Sequence, residues 1–312
     1  MQATVYRSTG SWYTVKTAEG KMLQARMKGV FKKDEDITST NPVAVGDSVE
    51  IEMEENSADG NAMITDIHPR KNYIVRLSPH GRHKKHIIAA NMDQAVLICT
   101  LKQPKTSQGF IDRFLVTAAA YHIPVVLVFN KKDLYKAKEM AHYEYWESLY
   151  TDIGYKVMLV SADTKEGVNE FIDCLANKTT LVSGHSGVGK SSLINLVLPG
   201  AELRTKAVSD WSGKGLHTTT FAEMFDIPGG GSIIDTPGIR ELGIVDIEKS
   251  ELSHYFLEMQ PYLQQCQFNN CLHVNEPGCA VKEAVREGLI DEDRYVSYVT
   301  LLESIGAKDY RV

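Results

Sequence analysis

Hydrophobic and polar positions change rhythm along the chain. At the start they alternate. Ser11-Trp12-Tyr13-Thr14-Val15-Lys16-Thr17 alternates, Glu19-Gly20-Lys21 turns and Met22-Leu23-Gln24-Ala25-Arg26 returns, which predicts a β-hairpin. Val45–Met53 and Gly60–Ile67 each read as a turn followed by a strand, and Lys32–Asn41 is polar, as a loop would be. Short strands at this spacing predict a small β-barrel of OB type over residues 1–70.

After Asn91 the alternation gives way to continuous apolar runs: Ala95–Leu101, Ile123–Phe129, Lys156–Val160 and Thr179–Ser183. Runs of this kind suit strands buried on both faces of a parallel sheet. Between them lie segments with helical spacing: Ile111, Phe114, Leu115, Ala118 and Ala119, then Lys136–Thr151, then Val168–Ala176. Strands alternating with helices predict a doubly wound sheet over 91–242, with Phe221–Ile227 and Ser232–Asp235 adding a hairpin-like pair. From 243 to 312 the pattern is helical and polar. The expectation is thus a multidomain α/β protein.

Composition narrows the class. The 312 residues are 43% hydrophobic and 24% charged, ordinary globular usage that excludes a mostly disordered chain. No run approaches the ~18 apolar residues of a membrane helix, and Met1–Arg7 lacks the opening of a secretory signal. The five cysteines form no disulfide framework, so a reducing, cytoplasmic setting is expected. The net charge of −6 argues mildly against a nucleic-acid partner. The charge is segregated, however: Arg70, Lys71, Arg76, Arg82, Lys84 and Lys85 carry no acidic residue between them. Residues 71–90 therefore read as a basic linker, or as a contact surface for an RNA backbone. Nothing points to an oligomer interface, and a monomer is expected.

Gly184-His185-Ser186-Gly187-Val188-Gly189-Lys190-Ser191 fits GxxxxGK[ST], after a predicted strand and before a predicted helix beginning at Ser192. Such a loop turns backbone N–H groups toward phosphate oxygens; Lys190 would reach the outer phosphates and Ser191 would ligate Mg²⁺. Asp235-Thr236-Pro237-Gly238 ends a predicted strand, where Asp235 can hold Mg²⁺ through water and the Gly238 N–H can meet the γ-phosphate. Asn130-Lys131-Lys132-Asp133 ends another. Asp133 can accept from N1 and the exocyclic amine of guanine, an arrangement adenine does not offer. Asn130 can brace the loop, the Lys131 stem can lie over the purine, and Ser161-Ala162 can offer a backbone N–H to guanine O6. All these segments fall at strand carboxyl ends, where open α/β sheets bind ligands. The base motif precedes the phosphate loop, the reverse of ordinary GTPases, so the domain reads as circularly permuted.

Cys266-x4-Cys271-x-His273-x5-Cys279 supplies three thiolates and an imidazole, a complete tetrahedral set for one structural Zn²⁺ with no open position. Cys99 and Cys174 read as packing residues.

Taken together, the order of base motif, phosphate loop, Gly215-Leu216-His217-Thr218-Thr219-Thr220, Asp235–Glu241 and Cys/His cluster resembles the RsgA (YjeQ) family of small-subunit biogenesis GTPases. The resemblance spans nearly the whole chain, including Arg294-Tyr295-Val296-Ser297-Tyr298. It implies an N-terminal OB domain, a central permuted GTPase domain and a C-terminal zinc domain. It also implies late maturation of the small ribosomal subunit, contact with its rRNA, and hydrolysis of GTP stimulated by the subunit. Ile239 follows Asp-x-x-Gly where many GTPases place a water-orienting Gln, so slow hydrolysis by the isolated protein is expected, with His217 as the candidate for the missing group. A competing reading is a non-catalytic RNA-binding module that senses guanine nucleotides. A metabolic P-loop kinase is disfavoured by the guanine-selecting Asn130–Asp133.

Overall fold

The computed structural model describes residues 1–28, 42–54, 60–77, 85–199, 222–236 and 247–306. Five strands, β1 (Gln2–Ser8), β2 (Tyr13–Thr17), β3 (Met22–Met27), β4 (Ser48–Met53) and β5 (Ala62–Ile67), pair in the order β1-β2-β3-β5-β4, and β4 closes back on β1. The result is the expected barrel. Its interior is filled by the inward positions of each strand, including Val5, Val15, Ala25, Val49, Ile51 and Ile64. Closure leaves β1 no free edge at the β4 side.

The segment expected as a basic linker contains structure of its own. β6 (Tyr73–Leu77) and β7 (Lys85–Ala90) form an antiparallel pair. Ile74, Ile88 and Ala89 join the same apolar cluster as Phe114 and Leu127 further on, so this pair is packed against the central domain. Arg70 is spent internally: its guanidinium donates to both carboxylate oxygens of the fully buried Asp47, at 2.6 and 2.7 Å, and to Pro42 O. Lys71 pairs with Asp93 at 2.9 Å. These two cations are therefore structural partners, while Arg82 and Lys84 lie outside the described residues.

The central domain follows the predicted alternation: β8 (Gln94–Cys99), α1 (Gln108–Ala120), β9 (Val125–Phe129), α2 (Ala137–Ile153), β10 (Lys156–Leu159), α3 (Val168–Leu175), β11 (Thr179–Gly184), α4 (Lys190–Val197), β12 (Glu223–Asp226) and β13 (Ser232–Asp235). The sheet order is β10-β9-β8-β11-β13-β12; all neighbours are parallel except β13 and β12. Successive residues of the apolar runs face opposite helical layers. Ala95, Leu97 and Cys99 pack with α1 and α2, and Val96 and Ile98 with α3 and α4. That double burial is why these strands read as unbroken apolar runs.

The barrel is fastened to this sheet's edge. Arg7 of β1 registers antiparallel with Glu223 of β12, and Asp226 accepts from Tyr6 Oη at 2.6 Å and Lys16 Nζ at 2.5 Å.

Beyond Ile247 the chain forms short 3₁₀ turns at Leu252–Tyr255 and Leu257–Met259, then α5 (Gln260–Leu263), α6 (Ala280–Arg286) and α7 (Glu292–Ser304). Their core, with Phe256, Met259, Tyr298 and Leu301, takes in Val116 of α1, so this unit rests on the central domain. The seam holds a fully buried cation. Arg294 Nη1 donates to Asp112 of α1 at 2.5 Å, its Nε donates to Glu258 at 2.7 Å, and the guanidinium lies 4.8 Å over the Phe256 ring. Burial works against that charge, but Asp112 and Glu258 override it and hold Arg294 above its ordinary pKa. No helix among the described residues is long and apolar enough to cross a membrane.

Candidate functional site

Because β8, β9, β10, β11 and β13 are parallel, the segments that follow them emerge along one edge. The phosphate loop leaves β11 through Gly184 and enters α4 at Lys190. Gly189 adopts φ +90°, and a Cβ there would stand 2.3 Å from Asn130 Nδ2 and 4.0 Å from Lys131 Cε. Only glycine permits this approach. Gly184 is equally constrained, with Ile98 O 2.5 Å from an added Cβ. Val188 is buried beneath the loop, while Ser186 and Gly187 are exposed and His185, Ser191 and Lys190 half-buried.

Asn130 joins the two halves of the site. It is buried; its Nδ2 donates to Val188 O at 2.9 Å and its Oδ1 accepts from Ala162 N at 3.0 Å. One side chain thus ties the base motif to the phosphate loop and to the corner after β10. Tyr135 Oη donates to Asn130 O at 2.7 Å and accepts from Leu101 N at 2.9 Å, which fixes the end of β9. Lys131 is left-handed (φ 67°) and its Nζ donates to Gln103 O; burial lowers its pKa, against the pull of Asp133. Lys132 pairs with Glu166. Asp133 is exposed and oriented by Ser161 Oγ, which donates to its Oδ1 at 2.5 Å.

In this corner Ser161 N donates to Glu166 O at 2.9 Å and Ala162 N donates to Asn130 Oδ1 at 3.0 Å. The corner thereby positions Asp133 and Asn130. Tyr135 and Gln103 were not singled out by the sequence; a Tyr two residues past the Asp carries no motif.

At the end of β13, Asp235 Oδ1 is buried with no hydrogen-bond partner. Burial raises the carboxyl above its ordinary range, and Lys190 pulls it down. An orphaned carboxylate oxygen within the field of the phosphate-loop lysine fits a hard cation and its water shell. Ser191 and Asp235 are the residues present that fit Mg²⁺. Gly238 and His217 lie outside the described residues.

The Cys/His cluster is assembled. The ligand atoms of Cys266, Cys271, His273 and Cys279 all lie within 4.8 Å of one another. His273 Nδ1 is 3.5 Å from Cys266 Sγ and 3.4 Å from Cys279 Sγ. Tetrahedral Zn²⁺, with bonds of about 2.3 Å to sulfur and 2.0 Å to nitrogen, sets sulfur and nitrogen roughly 3.5 Å apart, so the donor set fits zinc. Burial pushes the Cys271 thiol up to about 12, so a cation is what would make it a thiolate. The loop is held from outside: Glu276 accepts from the N–H groups of Leu272, Val274 and Asn275, Tyr295 Oη donates to His273 O, and Tyr298 Oη to Leu272 O. Burial pushes Glu276 upward, but these backbone donors outweigh it and hold its pKa at about 2.

Comparison with known proteins agrees with this geometry. A family model described as RsgA GTPase matches residues 67–245, and one described as RsgA N-terminal domain matches residues 2–61. The chain is 50% identical over 303 residues to the small ribosomal subunit biogenesis GTPase RsgA of Flavobacterium psychrophilum, covering 97% of this chain and 93% of that protein. It is 48% identical over 311 residues to the protein of the same name from Bacteroides fragilis, covering 100% and 99%. Among solved structures, YjeQ from Thermotoga maritima superposes with a TM-score of 0.79 at 36% identity, over 98% of this chain and 99% of that one. YloQ, described as a circularly permuted GTPase, superposes with a TM-score of 0.74 at 29% identity, over 97% and 94%.

Proposed function

The chain belongs to the RsgA GTPase family, and on that premise we propose that it is a Mg²⁺-dependent GTP hydrolase that binds the small ribosomal subunit and its rRNA and acts in the subunit's late maturation. The observation that carries the nucleotide half is Asn130, which bonds at once to the phosphate loop and to the corner that orients Asp133. That arrangement supports one cleft for one guanine nucleotide despite the permuted chain order.

The residues divide the work. Asp133 accepts the two guanine donors, and adenine would leave it unsatisfied. The glycines of the phosphate loop and the start of α4 bring N–H groups to the phosphates, and Lys190 meets the outer ones. Ser191 and Asp235 would hold Mg²⁺, which neutralises charge developing on the phosphates during transfer. Gly238 would donate its N–H to the γ-phosphate. Ile239 cannot orient water, and His217 is assigned that role in the docked state. Zn²⁺ on Cys266, Cys271, His273 and Cys279 is structural, since four protein ligands complete its shell.

The test is phosphate release from GTP with and without purified small subunits. Slow turnover alone, a large increase with subunits, and loss of that increase in His217→Ala with GTP affinity kept would support the reading. Tight GTP binding with no hydrolysis under either condition would replace it with a nucleotide-sensing RNA-binding module.

A further inference from the structure

We propose that the cleft between α1 and α7 is a receptor for a single unstacked RNA nucleotide, placed so that the phosphate loop senses its arrival. The inference rests on the reading that the chain docks on the small subunit. The cleft has a volume of about 550 Å³ and is lined by described residues: Gln108, Phe110 and Arg113 of α1, His185 of the phosphate loop, and Val296 and Thr300 of α7 among them. That is the scale of sites for small organic ligands.

Its chemistry is unspent. Gln108 Nε2 is buried without a hydrogen-bond partner. Arg113 makes no ion pair among the described residues, whereas Arg294 at the same seam takes Asp112 and Glu258. One orphaned buried amide and one guanidinium without an ion pair suit an acceptor-rich ligand. The one acid in the lining, exposed Asp293, calls for a donor at another point of the same ligand. A nucleotide carries both, a phosphate for Arg113 and base edges with acceptors and an amine for Gln108 and Asp293. The wall also holds a stacked aromatic pair, Phe110 on His185, with ring centroids 3.6 Å apart and planes 29° apart. Aromatic walls with a guanidinium are how proteins take up splayed bases of single-stranded RNA.

The cleft is preformed. The buried Arg294–Asp112 contact holds α7 against α1 immediately beside it. Its aromatic wall includes His185, a residue of the phosphate loop itself, so occupancy is felt where the nucleotide's phosphates sit. A subunit nucleotide entering here would report docking to the GTP site.

The experiment places p-benzoylphenylalanine at Val296, an exposed position of the lining, and irradiates the GTP-bound protein with purified small subunits. We expect a cross-link to subunit RNA. In parallel, Arg113→Ala should lower subunit-stimulated hydrolysis about tenfold with GTP affinity and unstimulated turnover unchanged, and Arg113→Lys should recover part of the loss. Cross-linking only to subunit proteins, or full stimulation of Arg113→Ala, would overturn the inference. Saturable binding of AMP or CMP with no cross-link to subunit RNA would make the cleft a free-nucleotide site instead, also against it. A wild-type protein that subunits do not stimulate at all would overturn the functional reading beneath it.

Discussion

Asn130 Nδ2 donates to the carbonyl of Val188 at 2.9 Å, across 58 residues of chain. The contact makes the Asn130–Asp133 corner and the phosphate loop one object. Replacing Asn130 by Ala leaves Val188 O and Ala162 N without their partner in a buried place, at roughly 1–3 kcal/mol for each group. GTP and GDP affinity should fall by about tenfold or more, measured by titration with a fluorescent guanine nucleotide. Unchanged affinity would mean that the two segments hold their places independently.

Arg294 is the second long-range tie. Arg294→Met would leave Asp112 and Glu258 buried without their cation, a loss on the order of 3–5 kcal/mol, seen as a lower midpoint in denaturant unfolding. The triple variant Arg294→Met, Asp112→Asn, Glu258→Gln removes the charges together and should recover most of that loss. If it recovers nothing, packing of the guanidinium on Phe256 outweighs its charge.

Much of this architecture was legible in the sequence, and the remainder fails for identifiable reasons. The buried strands, the glycine-rich loop and the cysteine spacing are local patterns, each written within a few adjacent residues. Arg294 is not: a charged residue near the start of a helix reads as solvated, and its partner Asp112 lies 182 residues away. Strand β1 is polar on its outer face, with only Ala3 and Val5 fully inside, so its alternation is faint. The basic stretch read as a linker because its charges mask Ile74, Ile87 and Ile88, which are buried. Likewise the engagement of the Ala162 N–H follows from tertiary approach of Asn130, which no motif encodes.

The barrel's attachment is pH-dependent. Burial pushes Asp226 upward, but hydrogen bonds from Lys16 and Tyr6 outweigh it and hold it below 3.8; the bond to Asp226 lifts Lys16 above 10.5. The contribution of Asp226 is therefore present above pH 3.8 and lost as pH falls through its lowered value. That of Lys16 is present below pH 10.5 and lost as pH rises beyond it. Asp226 is about half exposed, so the pair contributes about 1 kcal/mol or less. Asp226→Asn should lower the melting temperature by a small amount that stays constant from about pH 5 to 9 and vanishes in acid, measured by thermal scans against wild type. A difference that persists in acid would exclude an ionic origin.

Purified protein should carry one zinc per chain on the Cys/His cluster. Chelation, or Cys279→Ser, should release it and lower the melting temperature by roughly 5 °C or more, while guanine nucleotide still binds, because Asp133 and Lys190 belong to a different core. Elemental analysis and nucleotide titration on the same samples check both halves. Retained stability after zinc loss would show that Glu276, Tyr295 and Tyr298 hold the loop unaided.

The central claim, that Asp133 reads guanine in a cleft shared with Lys190, is tested most directly by measuring GDP and XDP affinity for wild type and Asp133→Asn. An amide at this position donates where the carboxylate accepts, so it matches the xanthine carbonyl and mismatches the guanine amine. The account predicts that wild type prefers GDP and Asp133→Asn prefers XDP. Equal GDP affinity in both proteins would contradict it.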